Sequence, residues 1–185
     1  MSDHWVFAYG SLMWNPGFPV AEAVRAHAHD FARSFCMRSV VHRGTTETPG
    51  LVLGLELQPG ACCHGLALRV HARDWPATLT LLRRRELPTD AYAEVQLPIF
   101  LEDGRQVEGL TYVIRRDHRQ YWADLDTVDQ ARIIAEARGK SGANAEYLFN
   151  TARHLEEMNI DEPQIHDLAR RVAQLMKRNG GDHCC

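Results

Sequence analysis

Apolar residues change their spacing along the chain, and this change predicts strands before helices. The apolar and aromatic run at residues 5–8 predicts a buried strand. Residues 31–41 are rich in the aromatic and β-branched types that favour strands, whereas residues 21–28 are short and mixed. Further strands are predicted at residues 51–57, 63–70, 92–101 and 106–114. Gln58-Pro59-Gly60 and Glu102-Asp103-Gly104-Arg105 predict the turns that join them in pairs.

Helical spacing appears once in the middle of the chain and again in its last third. The spacing predicts a helix over residues 75–86, with Asp74 as its N-cap and Pro76 in its first turn. Later, Thr127-Val128-Asp129-Gln130 fits a capping box and Gly139 fits a helix stop. About six or seven strands followed by three helices predict an α+β fold with a mostly antiparallel sheet.

Composition and charge narrow the class of protein. The chain has 185 residues, of which 45% are hydrophobic and 24% charged, so we expect one globular domain over residues 1–178. A loose tail is expected at residues 179–185. The net charge of −3 gives no reason to expect nucleic acid or an anionic membrane as a partner. The chain has no apolar run of membrane-spanning length and no signal-peptide pattern, so we expect it in the cytoplasm.

The cysteines and histidines could in principle bind a metal. The five cysteines are Cys36, Cys62, Cys63, Cys184 and Cys185. Their odd number and adjacent pairing favour free thiols in a reducing compartment. Three short motifs carry ligand types: His27-x-His29, Cys62-Cys63-His64 and His183-Cys184-Cys185. None has the gaps of two or more residues that are usual between ligands of a structural zinc site, so no metal role is expected.

The loop after the first strand is a candidate anion site. In Tyr9-Gly10-Ser11-Leu12 the glycine lets the backbone bend and leaves successive N–H groups bare. Such groups form a concavity that suits a carboxylate or an oxyanion. The alternative is a strand that ends in an ordinary turn, which Asn15-Pro16-Gly17 would complete. The stretch lacks both the phosphate-loop pattern and the dinucleotide-binding pattern of glycines.

Glu86 is a candidate general acid or base because of its position on the predicted helix. At about 100° per residue, Leu79 and Leu82 lie within roughly 40° of Trp75, and Glu86 lies about 20° from it. Glu86 would therefore face the core, where burial raises the pKa of a carboxyl group toward neutrality. Two alternatives are that the helix ends before Glu86, or that Glu86 pairs with a nearby arginine. The run Arg83–Arg85 is expected to be a solvated helix face.

Two motifs carry a resemblance to a known family. The run from Trp5 to Phe18 resembles the N-terminus of ChaC-type γ-glutamylcyclotransferases, with Ala8 where that family usually has glycine. Arg85-Glu86 matches the Arg-Glu pair in which those enzymes carry their catalytic glutamate. The resemblance implies a γ-glutamylcyclotransferase-like fold, a small barrel-like sheet with C-terminal helices packed outside. It also implies cleavage of glutathione into 5-oxoproline and cysteinylglycine, a lyase reaction in glutathione catabolism.

The same resemblance implies roles for individual residues, with Glu86 as the catalytic acid and base. The implied substrate-binding residues are Ala8, Tyr9, Gly10, Ser11, Leu12, Met13, Arg43 and Tyr112. The implied supporting residues are Ser39, Ser141, Asn144 and Tyr147. Several have simpler alternatives: a surface arginine for Arg43, a core aromatic for Tyr112 and a helix start for Ser141. No cofactor and no metal are implied.

Three other functions stay open at this point. The protein could cyclise a different γ-glutamyl amine or peptide. It could be a catalytically silent γ-glutamyl-binding or regulatory module, although the presence of Glu86 argues against that. It could also be a metal-binding protein that uses its cysteines and histidines. A small-molecule substrate is expected, and no nucleic acid, membrane or obligatory protein partner is indicated.

Overall fold

In the computed structural model, residues 3–122 and 125–181 are described. They fall into two compact units. The first comprises Met1–Arg33 and Gly54–His118, and the second comprises Ser34–Leu53 and Arg119–Cys185. The expectation of a single domain over residues 1–178 stays a prediction. None of the helices in the described residues combines the length and apolar character that crossing a membrane requires.

The chain forms a closed barrel of five strands, most of whose residues belong to the first unit. The strands are β1 His4–Ala8, β2 Glu22–Ser39, β3 Gly50–Val70, β4 Tyr92–Leu101 and β5 Gln106–Ile114. They follow one another in the order β1-β3-β2-β4-β5. β1 pairs antiparallel with β3 and parallel with β5, while β5 pairs antiparallel with β4. The α+β prediction is confirmed, since the strands come first and three of the four helices come last.

Two strands are longer than the sequence indicates. Residues 21–28 were too mixed to assign, yet most of them belong to β2, where Ala26 and Ala28 are buried and His29 is exposed. The alternation is present, but alanine carries little strand preference. The turn predicted at Gln58-Pro59-Gly60 is wrong, because β3 runs through it. Gly60 has a φ of 82° and its N–H donates to the Asp30 carboxylate at 2.8 Å, so the strand is irregular there without reversing.

Helix α1 spans Trp75–Glu86, as the sequence predicts. Pro76 lies in its first turn, but the side chain of Asp74 makes no capping hydrogen bond. The fully buried side chains are Thr78 and Leu82 rather than Trp75, which stacks on the ring of His4 at 4.3 Å. The buried stripe therefore advances by four residues at a time, and its next position after Leu82 is the last residue of the helix.

Three helices pack together in the second unit. They are α2 Thr127–Glu136, α3 Asn144–Glu157 and α4 Pro163–Gly181, and each packs against the other two. Between α2 and α3 lies a small hairpin of β6 Arg138–Gly139 and β7 Gly142–Ala143. Because α4 continues to Gly181, only residues 182–185 of the expected tail remain, and they lie outside the described residues.

The two predicted boundaries of α2 need correction. Asp126, not Thr127, is the N-cap, and its carboxylate accepts hydrogen bonds from the N–H groups of Val128 and Asp129 at 2.9 and 2.8 Å. The helix ends at Glu136, and Gly139 lies in β6 instead of stopping the helix. A side chain at position 139 would come within 2.5 Å of the backbone of Gly44, so this glycine serves a close approach between backbones.

Candidate active site

Glu86 is the last residue of α1, one turn beyond the buried Leu82. Only one-fifth of its side chain is exposed (20%), so the carboxyl group faces inward as the helical arithmetic predicts. The alternative that the helix ends before Glu86 is therefore wrong. The alternative that Glu86 pairs with a nearby arginine holds in part, since Arg85 Nε lies 3.2 Å from Glu86 Oε1. Burial raises the pKa of Glu86 above its ordinary value, and the positive charge of Arg85 opposes that rise.

Arg85 links the end of α1 to the loop that follows β1. Its Nη2 donates to Ser11 Oγ at 2.8 Å and its Nη1 donates to the carbonyl of Asn15 at 2.7 Å. The same guanidinium contacts Glu86 through Nε. The expectation that Arg83–Arg85 is a solvated face is therefore wrong for Arg85. Arg83 is exposed as expected, although its guanidinium also pairs with a carboxylate on β4.

The loop residues lie at the buried end of β1. Ala8, Tyr9, Gly10, Leu12 and Met13 are buried and Ser11 is half-buried. A short 3-10 helix covers Ser11–Met13, and its turn is closed by the N–H of Met13, which donates to the carbonyl of Gly10 at 2.9 Å.

The loop also leaves backbone donors available. The N–H groups of Ser11 and Leu12 begin the 3-10 helix, and no acceptor for them occurs among the described residues. These are donors of the kind that the sequence predicts for an anion site.

Arg33 stabilises the loop by binding the backbone carbonyl of Tyr9, a role that the sequence analysis missed. Its side chain is buried, with Nε donating to the carbonyl of Tyr9 at 2.6 Å and Nη2 donating to the carbonyl of His64. The available signal was alternation along β2, which places Arg33 on the same face as Phe35. A buried arginine among apolar neighbours needs acceptors, and two backbone carbonyls supply them.

Tyr112 lies on β5 and is almost fully buried. Its hydroxyl donates to Glu94 Oε2 at 3.1 Å. Arg83 binds the same carboxylate through two nitrogens, with the shortest bonds at 2.9 Å from Nε and 2.7 Å from Nη2. Burial and the negative charges of Glu94 and Glu86 raise the pKa of Tyr112, so its hydroxyl stays protonated and lies within electrostatic reach of both carboxylates. Sequence reasoning did not single out Glu94, because alternating strands often carry solvated acids.

The predicted supporting residues lie together in the second unit. Asn144 is fully buried, and its amide pairs with the backbone of Leu51, donating from Nδ2 and accepting at Oδ1, both at 2.7 Å. Ser39 accepts a hydrogen bond from the backbone N–H of Arg43 at 3.0 Å. Ser141 Oγ lies 3.0 Å from a ring nitrogen of His42. Asn144 thus has a structural task of its own.

Arg43 is held by its neighbours within the same unit. Its Nη1 donates to the carbonyl of Ala143 at 3.1 Å and lies 3.9 Å from the Glu146 carboxylate, and its guanidinium lies 5.5 Å from the centre of the Tyr147 ring. About one-fifth of the Arg43 side chain remains exposed. The simple alternative of a free surface arginine does not describe it, because its orientation is fixed by a carbonyl and an aromatic ring.

Residues 4–176 match the family model described as ChaC-like protein. The chain belongs to the ChaC-like family. Among ChaC-like relatives, it is 34% identical over 178 residues to the glutathione-specific γ-glutamylcyclotransferase of Escherichia coli K12, covering 96% of this chain and 76% of that protein. It is 31% identical to the protein of the same name from Schizosaccharomyces pombe, with 94% of each chain covered.

A solved structure supports the fold of this ChaC-like chain. The crystal structure of a γ-glutamylcyclotransferase specific to glutathione from yeast matches with a TM-score of 0.85. The match covers 94% of this chain and 97% of that one at 21% identity. At that identity the likeness shows the fold alone, and it confirms the γ-glutamylcyclotransferase-like fold that the resemblance implied.

Proposed function

We propose that this ChaC-like protein is a glutathione-specific γ-glutamylcyclotransferase, a lyase with Glu86 as its acid and base. The observation that carries the proposal is the inward-facing Glu86 carboxyl group, whose one ionic contact among the described residues is Arg85. Burial raises its pKa, as a group that takes and returns a proton near neutral pH requires. The names of the relatives from E. coli and S. pombe support the choice of glutathione.

The reaction requires no protein nucleophile. The α-amino nitrogen of the γ-glutamyl group attacks its own γ-carbonyl carbon, so a lactam C–N bond forms and the amide bond to the cysteine nitrogen breaks. The α-ammonium must lose a proton first, and the departing cysteine nitrogen must gain one. Glu86 would carry this proton from one nitrogen to the other, which contributes typically ~10²–10⁴-fold to the rate. No water is consumed.

Binding has to fold the substrate and stabilise negative charge. Correct orientation of the two reacting groups within one molecule is equivalent to an effective molarity of about 10⁵–10⁸ M. The N–H groups of Ser11 and Leu12 suit the substrate's α-carboxylate or the developing oxyanion. Tyr112 would act only as an uncharged hydrogen-bonding group, since its pKa is raised by burial and by Glu94.

Arg43, in the second unit, is another proposed substrate-binding residue. Within the guanidinium of Arg43, a single N–H is used in a hydrogen bond to a described residue. A guanidinium has five N–H donors in a planar fork, so the remaining donors suit a carboxylate of the substrate. Ser39, Ser141, Asn144 and Tyr147 would act by fixing the loop and the helix start that orient Arg43.

The test is incubation of the purified protein with glutathione, followed by mass-spectrometric detection of 5-oxoproline and cysteinylglycine. Both products should appear in equal amounts. A panel of γ-glutamyl dipeptides should react much more slowly. Turnover of the dipeptides alone would instead support a cyclotransferase for other γ-glutamyl amines. Thermal stabilisation by glutathione without product would support a silent binding module.

The expectation of a cytoplasmic location also stays a proposal. Among the described residues, Cys36, Cys62 and Cys63 lie outside any disulfide bond, which fits a reducing compartment. Glutathione as a substrate fits the same compartment. Imaging of the tagged full-length chain in its own cells, beside a secreted marker, tests this location.

A further inference from the structure

Three metal-ligand side chains converge on one face of the barrel. Among the residues that the structure describes, His27, His29 and Cys62 place ligand atoms within 4.8 Å of one another. We propose that these three residues form an accessory site for a divalent zinc ion that joins β2 to β3. Each short motif by itself lacks the ligand spacing of a zinc site, whereas the sheet brings two of them side by side.

The strand geometry explains the convergence. Side chains two residues apart on a strand point to the same face, so His27 and His29 lie together on β2. The same rule places Cys62 and His64 on one face of β3, while Cys63 points the other way and is buried. The centres of the His27 and His29 rings are 4.9 Å apart, and those of the His27 and His64 rings are 5.5 Å apart.

Phe100, on the neighbouring strand β4, fixes the orientation of both β2 histidines. Its ring stacks on His27 at 5.5 Å with an interplanar angle of 17°. It meets His29 nearly edge-on at 4.8 Å and 65°. A ligand that is held by packing loses less rotamer freedom when it binds a metal. The phenyl ring therefore acts as a rigid backing for the two imidazoles.

The donor set selects the kind of ion. Two imidazole nitrogens and one thiolate sulfur are ligands that zinc prefers, and they exclude magnesium and calcium, which require oxygen donors. In a tetrahedral zinc site with bonds of 2.0–2.3 Å, ligand atoms lie about 3.3–3.7 Å apart. The ligand atoms must therefore move closer together by roughly an ångström, and rotation of the side chains about their χ angles allows this. His64 or a water molecule would take the fourth position.

Binding requires neutral imidazoles and a thiolate, so zinc uptake at this site should release protons.

The site is separate from Glu86 and Tyr112. Phe100 and Glu94 lie on the same strand, six residues apart, which is about 20 Å along an extended chain. Because Glu94 is bonded to Tyr112, a zinc ion beside Phe100 has no contact with the lactam chemistry. Its expected effect is on stability, since an ion that binds only the folded state stabilises that state.

The test is zinc binding to the full-length chain and to matched variants. Equilibrium dialysis followed by elemental analysis should give about one zinc per chain. Loss of a second-shell partner already weakens metal sites by ~10–100-fold, so Cys62→Ser and His29→Ala should each weaken binding by at least that factor. His166→Ala, a histidine outside the cluster, is the control that should bind as the parent does.

The terminal motif His183-Cys184-Cys185 requires its own control, because it also carries ligand types. The double variant Cys184→Ser, Cys185→Ser should keep full zinc binding. If that variant loses zinc while Cys62→Ser keeps it, the proposed barrel site is wrong. Zinc binding that is absent from the parent chain would also overturn it.

Cobalt gives a readout that reports the ligands directly. Co²⁺ added to the parent should produce a thiolate-to-cobalt charge-transfer band and the intense visible bands of tetrahedral geometry. Cys62→Ser should remove the charge-transfer band, and zinc should raise the unfolding temperature of the parent but not of this variant. Turnover of glutathione should be the same in both. A charge-transfer band that survives in Cys62→Ser would contradict the assignment.

Discussion

Glu86 and Glu94 are two glutamates with equal exposure and opposite electrostatics. Each leaves 20% of its side chain in contact with solvent. Burial raises the pKa of Glu86, whereas the hydrogen bonds from Arg83 lower the pKa of Glu94. The comparison teaches that the exposed fraction of a side chain does not by itself decide the direction in which its pKa shifts. Desolvation of the carboxyl group dominates at Glu86, whereas the hydrogen bonds from Arg83 dominate at Glu94.

The partners differ in geometry as well as in number. Glu94 receives both nitrogens of one guanidinium fork and the Tyr112 hydroxyl, so its charge is neutralised and its lone pairs are used. Glu86 has one contact, from Arg85 Nε, while the two terminal nitrogens of Arg85 bind Ser11 and Asn15. Glu86 also ends a helix, where the negative end of the helix dipole disfavours a second negative charge. Glu94 thus has the contacts of a structural carboxylate, whereas the single contact of Glu86 fits the proton exchange that we propose for it.

The largest expected effect follows from removing the ionisable group of Glu86. Glu86→Gln should lower kcat for glutathione by ~10²–10⁴-fold with little change in KM, because the amide cannot carry the proton. Glu94→Gln is the matched control, since it makes the same chemical change at equal exposure. Its kcat should fall by less than about 10-fold, because the amide oxygen still accepts from Tyr112. Steady-state kinetics with detection of 5-oxoproline measures both.

Two outcomes would contradict this assignment. If Glu86→Gln keeps most of its turnover, Glu86 does not carry the proton. If the two variants lose turnover equally, the difference between the carboxylates has no bearing on catalysis. Circular dichroism should show that both variants are folded, so that lost turnover is not lost structure.

Residue spacing predicts the position of Glu86 but not its partners. Pro76 fixes the start of α1, the spacing of its apolar residues fixes the buried face, and Glu86 follows from 3.6 residues per turn. The contact between Arg85 and Ser11 joins residues 74 positions apart, which no local pattern reports. The same holds for Asn144 and Leu51, 93 positions apart. Local periodicity predicts faces of elements, whereas hydrogen bonds between distant side chains depend on the fold as a whole.

The strands also differ in how well local spacing predicts them. β4 and β5 agree with the sequence to the residue, because Asp103-Gly104 marks the turn and both strands carry β-branched and aromatic residues. The first part of β2 was missed, because its buried positions are alanines. The pairing of β2 with β3, which brings His27 and His29 to Cys62, could not be read from either motif alone.

Arg85 offers the second way to sharpen the comparison. Arg85→Leu removes the positive charge beside Glu86 and both hydrogen bonds to the Ser11–Asn15 loop. The pKa of Glu86 should then rise further, because the charge that opposes burial is gone. Since the carboxylate is the form that accepts the proton, the acidic limb of the kcat profile should move to higher pH. Loss of the loop anchor should lower kcat at the optimum by about 10-fold.

The control for Arg85 is its neighbour on the exposed side of the helix. Arg84→Leu removes the same charge from the same turn, but Arg84 is exposed. The acidic limb of the pH profile and the value of kcat at the optimum should both stay close to those of the parent, because solvent screens a charge in that position. An acidic limb that moves equally in the two variants would show that overall charge, and not the contact with Glu86, sets the profile.

The smallest expected effect is on stability, and it differs in sign between the two carboxylates. A group whose pKa is raised on folding binds its proton more tightly in the folded state, so ionising it costs stability above that raised pKa. Glu86→Gln should therefore be more stable than the parent at neutral pH, and the difference should vanish below the ordinary value of 4.5. Glu94 has a lowered pKa, so its stabilisation is complete above 4.5 and is lost as the pH falls through the folded value.

Urea unfolding of the parent and of both variants, at neutral pH and below 4.5, checks these signs. Glu94→Gln should lose about 1 kcal/mol at neutral pH, since Arg83 is exposed and solvent weakens its ion pair. This loss in the free energy of unfolding should become smaller in acid. The gain in stability from Glu86→Gln should become smaller as the pH falls toward 4.5. If Glu86→Gln is instead less stable at neutral pH, the ionised Glu86 carboxylate is favoured by the fold. Arg85 would then outweigh burial, and the two glutamates would be alike after all.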